Sequence, residues 1–470
     1  MMPDQSYVLQ VGDTYEWSND YLIEAADGFW QMGISRSLTA LTTGDQSGTT
    51  AIVLNGKTDT KSNNLVLDNR TGLIWIKAPA ASVGPASNGK LYWDDHIDRL
   101  EFSNNVGSSF TAGKVVTQAV SGATGLIRYV NNTGGHMALE SVENGPFDTT
   151  NTITAPGGEG AADVDSFEFG NGEDIFSYCI AANLARLGGY TDWRVPNIFE
   201  LATIMLFNVT NGNARPDASY FTFPGTNDLV WTSTHDATER GLHAIAPRFD
   251  NGGCSAGGSS EKGFDTGYVY LVRGPDLSGL RYCLPLTTRF TEMGINFFDD
   301  GFYRLGVQRS YTVMEQGSQA GTTTFALYNG DSHTIENKCI LDDNTGMMWL
   351  FATSDHQYPY YDPTGKRGDA LEYLRVANAY ALGGFSDWRI PNLLEAVSVY
   401  DAATERIAEE VGNNKSYAWW TCTPNPATPA NIFYCQAGRP WCYTPASRTS
   451  GGPYYVRLVR GGVTDADLPT

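Results

Sequence analysis

Apolar and polar positions change period along the chain. From Asp174, apolar residues at Phe176, Cys179, Ile180, Leu184 and Leu187 fall on one face of a predicted helix. Asp174 and Asp369 are suitable N-caps, and Glu372 lies three residues after Asp369 at capping-box spacing. Gly188-Gly189 and Gly383-Gly384 read as left-handed C-caps of these helices. A second short helix follows each, capped by Asn197 or Asn392, with Glu200 or Glu395 three residues on. Pro196 and Pro391 hold the chain extended just before the cap. Strands are expected at 231–234, 269–272, 420–423 and 455–459. Shorter alternating strands, punctuated by Gly and Asn, are expected at 114–119, 124–130 and 137–142.

These patterns occur twice. DGFWQMGISRSLTALTTGDQSGTT (27–50) aligns without gaps with DGFYRLGVQRSYTVMEQGSQAGTT (300–323), which pairs Arg36 with Arg309. LVLDNRTGLIWIK (65–77) matches CILDDNTGMMWLF (339–351). DIFSYCIAANLARLGGYTDWRVPNIFEL (174–201) matches DALEYLRVANAYALGGFSDWRIPNLLEA (369–396). VWTST (230–234) matches WWTCT (419–423), and YVYLVRG (268–274) matches YVRLVRG (455–461). The same blocks in the same order mean an internal duplication. The first copy carries one extra stretch, 94–170, read as a small β module nested in a surface loop. The expected organisation is an N-terminal attachment segment 1–27 and a first domain 28–274 holding the insert 94–170. A linker and entry segment 275–300 leads to a second domain 301–470.

Composition narrows the function classes. The net charge of −21 repels phosphate backbones and anionic surfaces, so nucleic-acid binding and membrane insertion are not expected. No stretch of 18 or more apolar residues is present. Residues 1–19 show no basic and apolar leader pattern, so a secretory signal is absent or has been removed. The seven Cys are too sparse for a disulfide scaffold, and Cys422, Cys435 and Cys442 leave any single bridge unassigned. Six scattered His and no CxxC give no sequence support for zinc, and no metal ligands or cofactors are expected.

TGLIWIK, GGYTDWRVPNIFEL, WTST and YVYLVRG, with the lead-in DDGFYRLGVQRSYT, resemble the C-terminal domain family of the Legionella collagen-like adhesin. The resemblance covers nearly all of both copies except the insert. It implies an α+β fold of two tandem C-type-lectin-like domains, with short strands, two short helices each and long loops. Members of that family serve adhesion on bacterial surfaces and in phage virions. Some vary in the loop before the final VRLVR strand, and the adhesin relative is trimeric. The FTAGKVVT and SGATG strings of the insert resemble small β modules of phage structural proteins.

Asp192, Trp193, Arg194 and Asn197, with Asp387, Trp388, Arg389 and Asn392, invite a catalytic reading but have no His or Cys partner in sequence. A buried Trp, a paired Arg and an Asn cap explain them as fold determinants. The structural signature is therefore Trp75, Trp193, Arg194, Pro196, Asn197, Trp231, Trp349, Trp388, Arg389, Pro391, Asn392 and Trp420. The better ligand candidates lie in the loop after Trp420: Phe433, Tyr434, Arg439, Trp441 and Tyr443, rigid aromatics with Arg that suit recognition or sugar stacking. The competing reading packs them onto the domain or a neighbour. Tyr358, Tyr360 and Tyr361 form a second aromatic cluster, expected to be exposed. No calcium loop is found, and no nucleophile, nucleotide loop or paired-carboxylate motif supports an enzyme. The expectation is a phage virion protein (tail fibre, tail tip or capsid decoration) displaying lectin-like domains to a host-surface glycan or protein. Its partners would be other virion proteins and further copies of itself, with a trimer implied by the resemblance. The alternatives are a secreted or surface-bound bacterial adhesin and a decoration protein with no ligand.

Overall fold

The computed structural model describes residues 35–462 except 95–97, 108, 158–159, 207–214, 224–227, 236–242, 251–252, 256–258, 262, 275–308, 328, 363–367, 402–405, 408–410, 413–417, 425–429, 437–443, 448 and 451. Residues 1–27, expected as an attachment segment, and 275–300, expected as a linker and entry segment, lie outside the described residues. The fold is mostly β, with few short helices and long loops.

Each copy rests on a four-stranded antiparallel sheet that joins the two ends of the copy. In the first the order is Leu38–Leu41, Leu65–Asp68, Ile74–Ile76, Val272–Arg273; in the second it is Tyr311–Met314, Cys339–Asp342, Met347–Leu350, Val459–Gly461. Register repeats too: Val272 lies opposite Trp75 and Val459 opposite Trp349. The turn between the middle strands is written in the LDxxTG block. Asp68 accepts from the backbone N–H of Arg70 (2.9 Å) and from Thr71 Oγ1 (2.7 Å), closing an Asx turn.

The sheet is covered on both faces. In the second copy Met347 and Trp349 belong to one apolar cluster while Met348 and Leu350 belong to another, the period-two alternation of a strand buried on both sides. This explains why these strands read as continuous apolar runs. The first of those clusters continues from the first copy into the second, taking in Trp75, Ile198 and Leu201 together with Trp349, Leu393 and Phe433. The strand Gly253–Ser255 of the first copy lies against Thr444–Ser447 of the second. The copies therefore share buried apolar surface.

The helices are α1 (Ile175–Leu184) and α2 (Ile198–Thr203) in the first copy, α3 (Ala370–Ala379) and α4 (Leu393–Ser398) in the second. Asp174 caps α1 by accepting from the N–H of Phe176 and Ser177, and Asp369 caps α3 by accepting from Glu372 N. Full capping boxes close α2 and α4 through Asn197 with Glu200 and Asn392 with Glu395. Two expectations need correction. The buried face of α1 is Ile175, Phe176, Tyr178, Cys179 and Ala182, while Ile180 and Leu184 are exposed. The left-handed residue that turns the chain out of the helix is not glycine. It is Arg186 (φ 54°) in one copy and Ala381 (φ 48°) in the other, followed by a 3-10 turn holding the glycines. Those glycines are left-handed as well (φ 61° at Gly188, 62° at Gly383) and also permit close packing. A Cβ on Gly383 would lie 2.6 Å from Cys339 Sγ, and one on Gly188 2.9 Å from Leu65 Cδ1.

The segments expected as strands at 231–234, 269–272 and 455–459 are largely extended chain joined by single bridges. Val230 pairs with Tyr268 and Trp419 with Tyr455, and only Val272–Arg273 and Val459–Gly461 are ladders there. By contrast 420–423 lies inside Ala418–Pro424, part of a three-stranded sheet with Asn431–Gln436 and Thr444–Ser447.

The insert is a closed six-stranded antiparallel barrel with its own core of Leu100, Phe102, Phe110, Val116, Ile127, Met137, Leu139, Ile153 and Val164. Its three expected strands are Val115–Gln118, Thr124–Asn131 and His136–Glu143; Asp98–Val106, Thr152–Thr154 and Ala161–Glu168 complete it. Entry and exit strands are neighbours, with Arg99 opposite Glu168. The barrel leaves and returns to the host domain at one place, the geometry a tolerated insertion requires. It docks on the first copy through Phe264, whose ring lies 4.2 Å from that of His136 and 6.1 Å from that of Tyr129. Glu261 accepts from Asn131 Nδ2 (2.8 Å) and pairs with His136.

Candidate functional site

The DWRxPN block builds the same buried assembly in both copies. Asn183 receives Trp193 N–H (2.7 Å) and donates to Trp193 O (2.8 Å); Asn378 does the same for Trp388 at 2.7 and 2.9 Å. Each indole N–H then donates to the 3-10 turn, Trp193 to Leu187 O and Trp388 to Leu382 O. Arg194 makes a two-pronged pair with Glu200 (2.5 and 2.6 Å) and donates to Gly274 O; Arg389 repeats this with Glu395 (2.5 and 2.7 Å) and Gly461 O. The arginine thus ties α2 or α4 to the last strand. Every residue of the expected structural signature is buried: Trp75, Trp193, Arg194, Pro196, Asn197 and Trp231 in the first copy, Trp349, Trp388, Arg389, Pro391, Asn392 and Trp420 in the second. Asp192 and Asp387 stay on the surface, paired with Arg273 and Arg460, which stack on Tyr190 and Phe385. The Asn183 and Asn378 clamps escaped the sequence reading, although their place in the repeated AAN and VAN strings marks them.

The expected ligand set divides. Phe433 is fully buried in the core shared by the copies, so it is not a ligand contact. Its inward direction follows from strand alternation: the backbone carbonyl of Phe433 accepts from Thr421 Oγ1, and Tyr434 points to the other face. Tyr434 is half-buried and stacks on Tyr454 at 4.1 Å and 22°. Tyr454 in turn meets Trp420 edge-on at 4.7 Å. Burial and then the hydrogen bond with Tyr434 push the Tyr454 hydroxyl well above its ordinary pKa. Arg439, Trp441 and Tyr443 lie outside the described residues. The first copy has Gly267 where the second has Tyr454, so this aromatic platform belongs to the second copy alone. Tyr454 was not singled out in sequence. The expected exposed cluster is corrected as well. Tyr358 and Tyr360 are 2% and 1% exposed, and Tyr358 O accepts the Trp420 indole N–H, so they pack the domain; Tyr361 is half-buried.

The described thiols are poor nucleophiles. Cys179, Cys339, Cys422 and Cys435 are buried and not disulfide-bonded. Burial pushes Cys179 up to about 12 and Cys339 up to about 11. The side chain of Cys254, and Cys283 and Cys442, lie outside the described residues. Among the described residues one grouping could hold a metal ion: His333, Asp355 and His356. No metal was expected from sequence, since the six His are scattered and no CxxC occurs; residues 22 positions apart come together only in the fold.

No helix among the described residues is long and apolar enough to cross a membrane. No curated protein and no solved structure matches the chain. The family model described as the Lcl C-terminal domain matches residues 64–273 and 338–460, one match per copy. The chain belongs to the Lcl C-terminal domain family and carries two of its domains in tandem.

Proposed function

We propose that this is an adhesin-like attachment protein that binds a partner through the loop face of its second copy, with no catalytic role. The observation that carries this reading is the contrast between the copies. What they share is buried scaffold, while the Tyr434–Tyr454 platform occurs in one copy and is half-exposed. Aromatic faces of this kind suit a sugar ring or an apolar protein contact. The domains are read as C-type-lectin-like, α+β in class. The setting proposed is a phage virion, as tail fibre, tail tip or capsid decoration, with host-surface glycan or protein as ligand and other virion proteins and further copies of the chain as partners. A nested barrel with the FTAGKVVT and SGATG strings supports the virion setting. The family match by itself supports a bacterial surface adhesin equally well.

Two experiments test this. Antibody raised against the chain should label purified particles and block their adsorption; labelling confined to the cell envelope would replace the virion reading by the adhesin one. Labelled chain should bind host cells, and Tyr454→Gly, the residue of the first copy, should remove binding while the chain stays folded. Undiminished binding would refute the platform.

A further inference from the structure

The two copies fill one buried position with different chemistry. In the first copy Asp59, on the strand Lys57–Ser62, sits in a closed set. It accepts from Tyr178 OH and from Ala81 N, both at 2.9 Å, and pairs with Lys61 at 3.2 Å. Ribbon register identifies its counterpart, since Ile52 lies opposite Asp59 and Phe325 opposite His333. Lys61 is matched by Ile335, Ala81 by Asp355 and Ser82 by His356. Backbone bonds fix this alignment, because Ala80 N donates to Val269 O as Ser354 N donates to Val456 O. Tyr373, the counterpart of Tyr178, has lost its acceptor, and its buried hydroxyl has no hydrogen-bond partner.

What replaces the closed set is a group of metal-ligating side chains. Ligand atoms of His333, Asp355 and His356 lie within 4.8 Å of one another. His333 is fully buried, its Nδ1 against Asp355 Oδ1 and its Nε2 2.7 Å from Tyr358 OH. His356 Nδ1 is 3.1 Å from the same Asp355 oxygen. Asp355 and His356 are 39% and 59% exposed in their side chains, so the group opens to solvent on one side. On the inner side the Tyr373 ring lies 6.1 Å from His333 and 6.0 Å from Tyr358, and the Asp355 charge acts on its hydroxyl.

We propose that His333, Asp355 and His356 form a binding site for a divalent transition metal of the zinc class. Two imidazoles and one carboxylate suit such an ion, whereas calcium requires an oxygen cage that a single carboxylate does not supply. Three protein ligands leave a position for water or for an oxygen of a bound ligand. The ion would lie between His333 Nδ1 and Asp355, with His333 in the neutral tautomer whose single proton is on Nε2 and is donated to the Tyr358 oxygen, the outer partner that metal-bound histidines commonly have. The first copy, with Asp59, Ala81 and Ser82, has no equivalent site.

The test is calorimetric titration of the chelator-stripped full chain with zinc chloride and, separately, calcium chloride. One zinc per chain is expected, with no calcium heat. Asp355→Ala, which restores the first copy's residue, and His356→Ala should each abolish stoichiometric uptake, while circular dichroism of each metal-free variant still shows the native fold. Tyr358→Phe should weaken binding about 10–100-fold. No zinc uptake by the unaltered chain overturns the proposal. So does uptake that persists in both Asp355→Ala and His356→Ala, which would put the ion elsewhere. Because the readout is metal binding, failure here leaves the attachment reading standing, and failed cell adhesion leaves the metal site standing.

Discussion

Replacing Glu395 by Gln isolates the charge of the Arg389–Glu395 pair. Glutamine keeps an oxygen for Asn392 N–H, so the cap of α4 survives, but the guanidinium loses the Glu395 carboxylate charge. Arg389 is 3% exposed, and the Gly461 carbonyl at 3.0 Å is an acceptor that it keeps. Breaking a buried pair in this way costs about 3–5 kcal/mol, since the buried guanidinium loses the carboxylate it is paired with. For a unit of 150–250 residues about 1 kcal/mol moves the melting temperature by roughly 2–4 °C, so the expected fall is about 6–20 °C. Differential scanning calorimetry of the full chain measures it. The double variant Arg389→Met with Glu395→Gln should recover part of the loss, because it removes the buried cation as well. A fall below about 2 °C for Glu395→Gln, or a double variant worse than the single, would show that the pair only offsets its own desolvation and would refute the reasoning.

Other consequences are open to direct measurement. Ala381→Gly and Arg186→Gly should each stabilise by about 0.5 kcal/mol in urea titration, because relief of the left-handed strain slightly exceeds the entropy of the added glycine; destabilisation by either would refute the strain argument. Arg457 is fully buried, donates to Val411 O and meets no carboxylate among the described residues, and burial lowers its pKa to about 10. Arg457→Met should therefore leave stability unchanged or raise it, and a loss above about 2 kcal/mol in the same titration would contradict this. Barrel docking should depend on pH. Burial opposes the charge of His136 but Glu261 outweighs it and raises the pKa, so that contribution is complete below about pH 6.5 and is lost as pH rises through the raised value. Burial likewise opposes the Glu261 charge but His136 outweighs it and lowers the pKa, so its contribution holds above about pH 4.3 and is lost as pH falls through the lowered value. Hydrogen exchange across 129–138, corrected for intrinsic rates, should show strongest protection between those limits, and a flat profile would argue against the pair as the clasp.

Much of the scaffold was legible because it is written locally. Asn197 with Glu200, and Asn392 with Glu395, encode a capping box within four residues, and the repeated blocks located both sheets. The face of α1 was misread because the helix is apolar nearly all round. Ile180 and Leu184 compete with Tyr178 and Ala182 for the core, and only packing decides which is covered. Phe433 was misplaced because the strand Asn431–Gln436 lies in a segment that reads as loop, so its alternation went unseen. The grouping of His333 with Asp355 and His356 depends on ribbon register and on where the chain leaves the sheet, neither of which spacing reveals.

The side-by-side entry and exit strands of the barrel have a use beyond explaining its origin. Arg99 and Glu168 face each other across one ladder, so a foreign domain whose termini lie equally close could be exchanged for the barrel without respacing the frame. In sequence, the second copy has only a short connection at the corresponding place before Asp369. A barrel grafted there would turn an asymmetric pair into a symmetric one, and a chain that naturally displays one such module could be made to carry two.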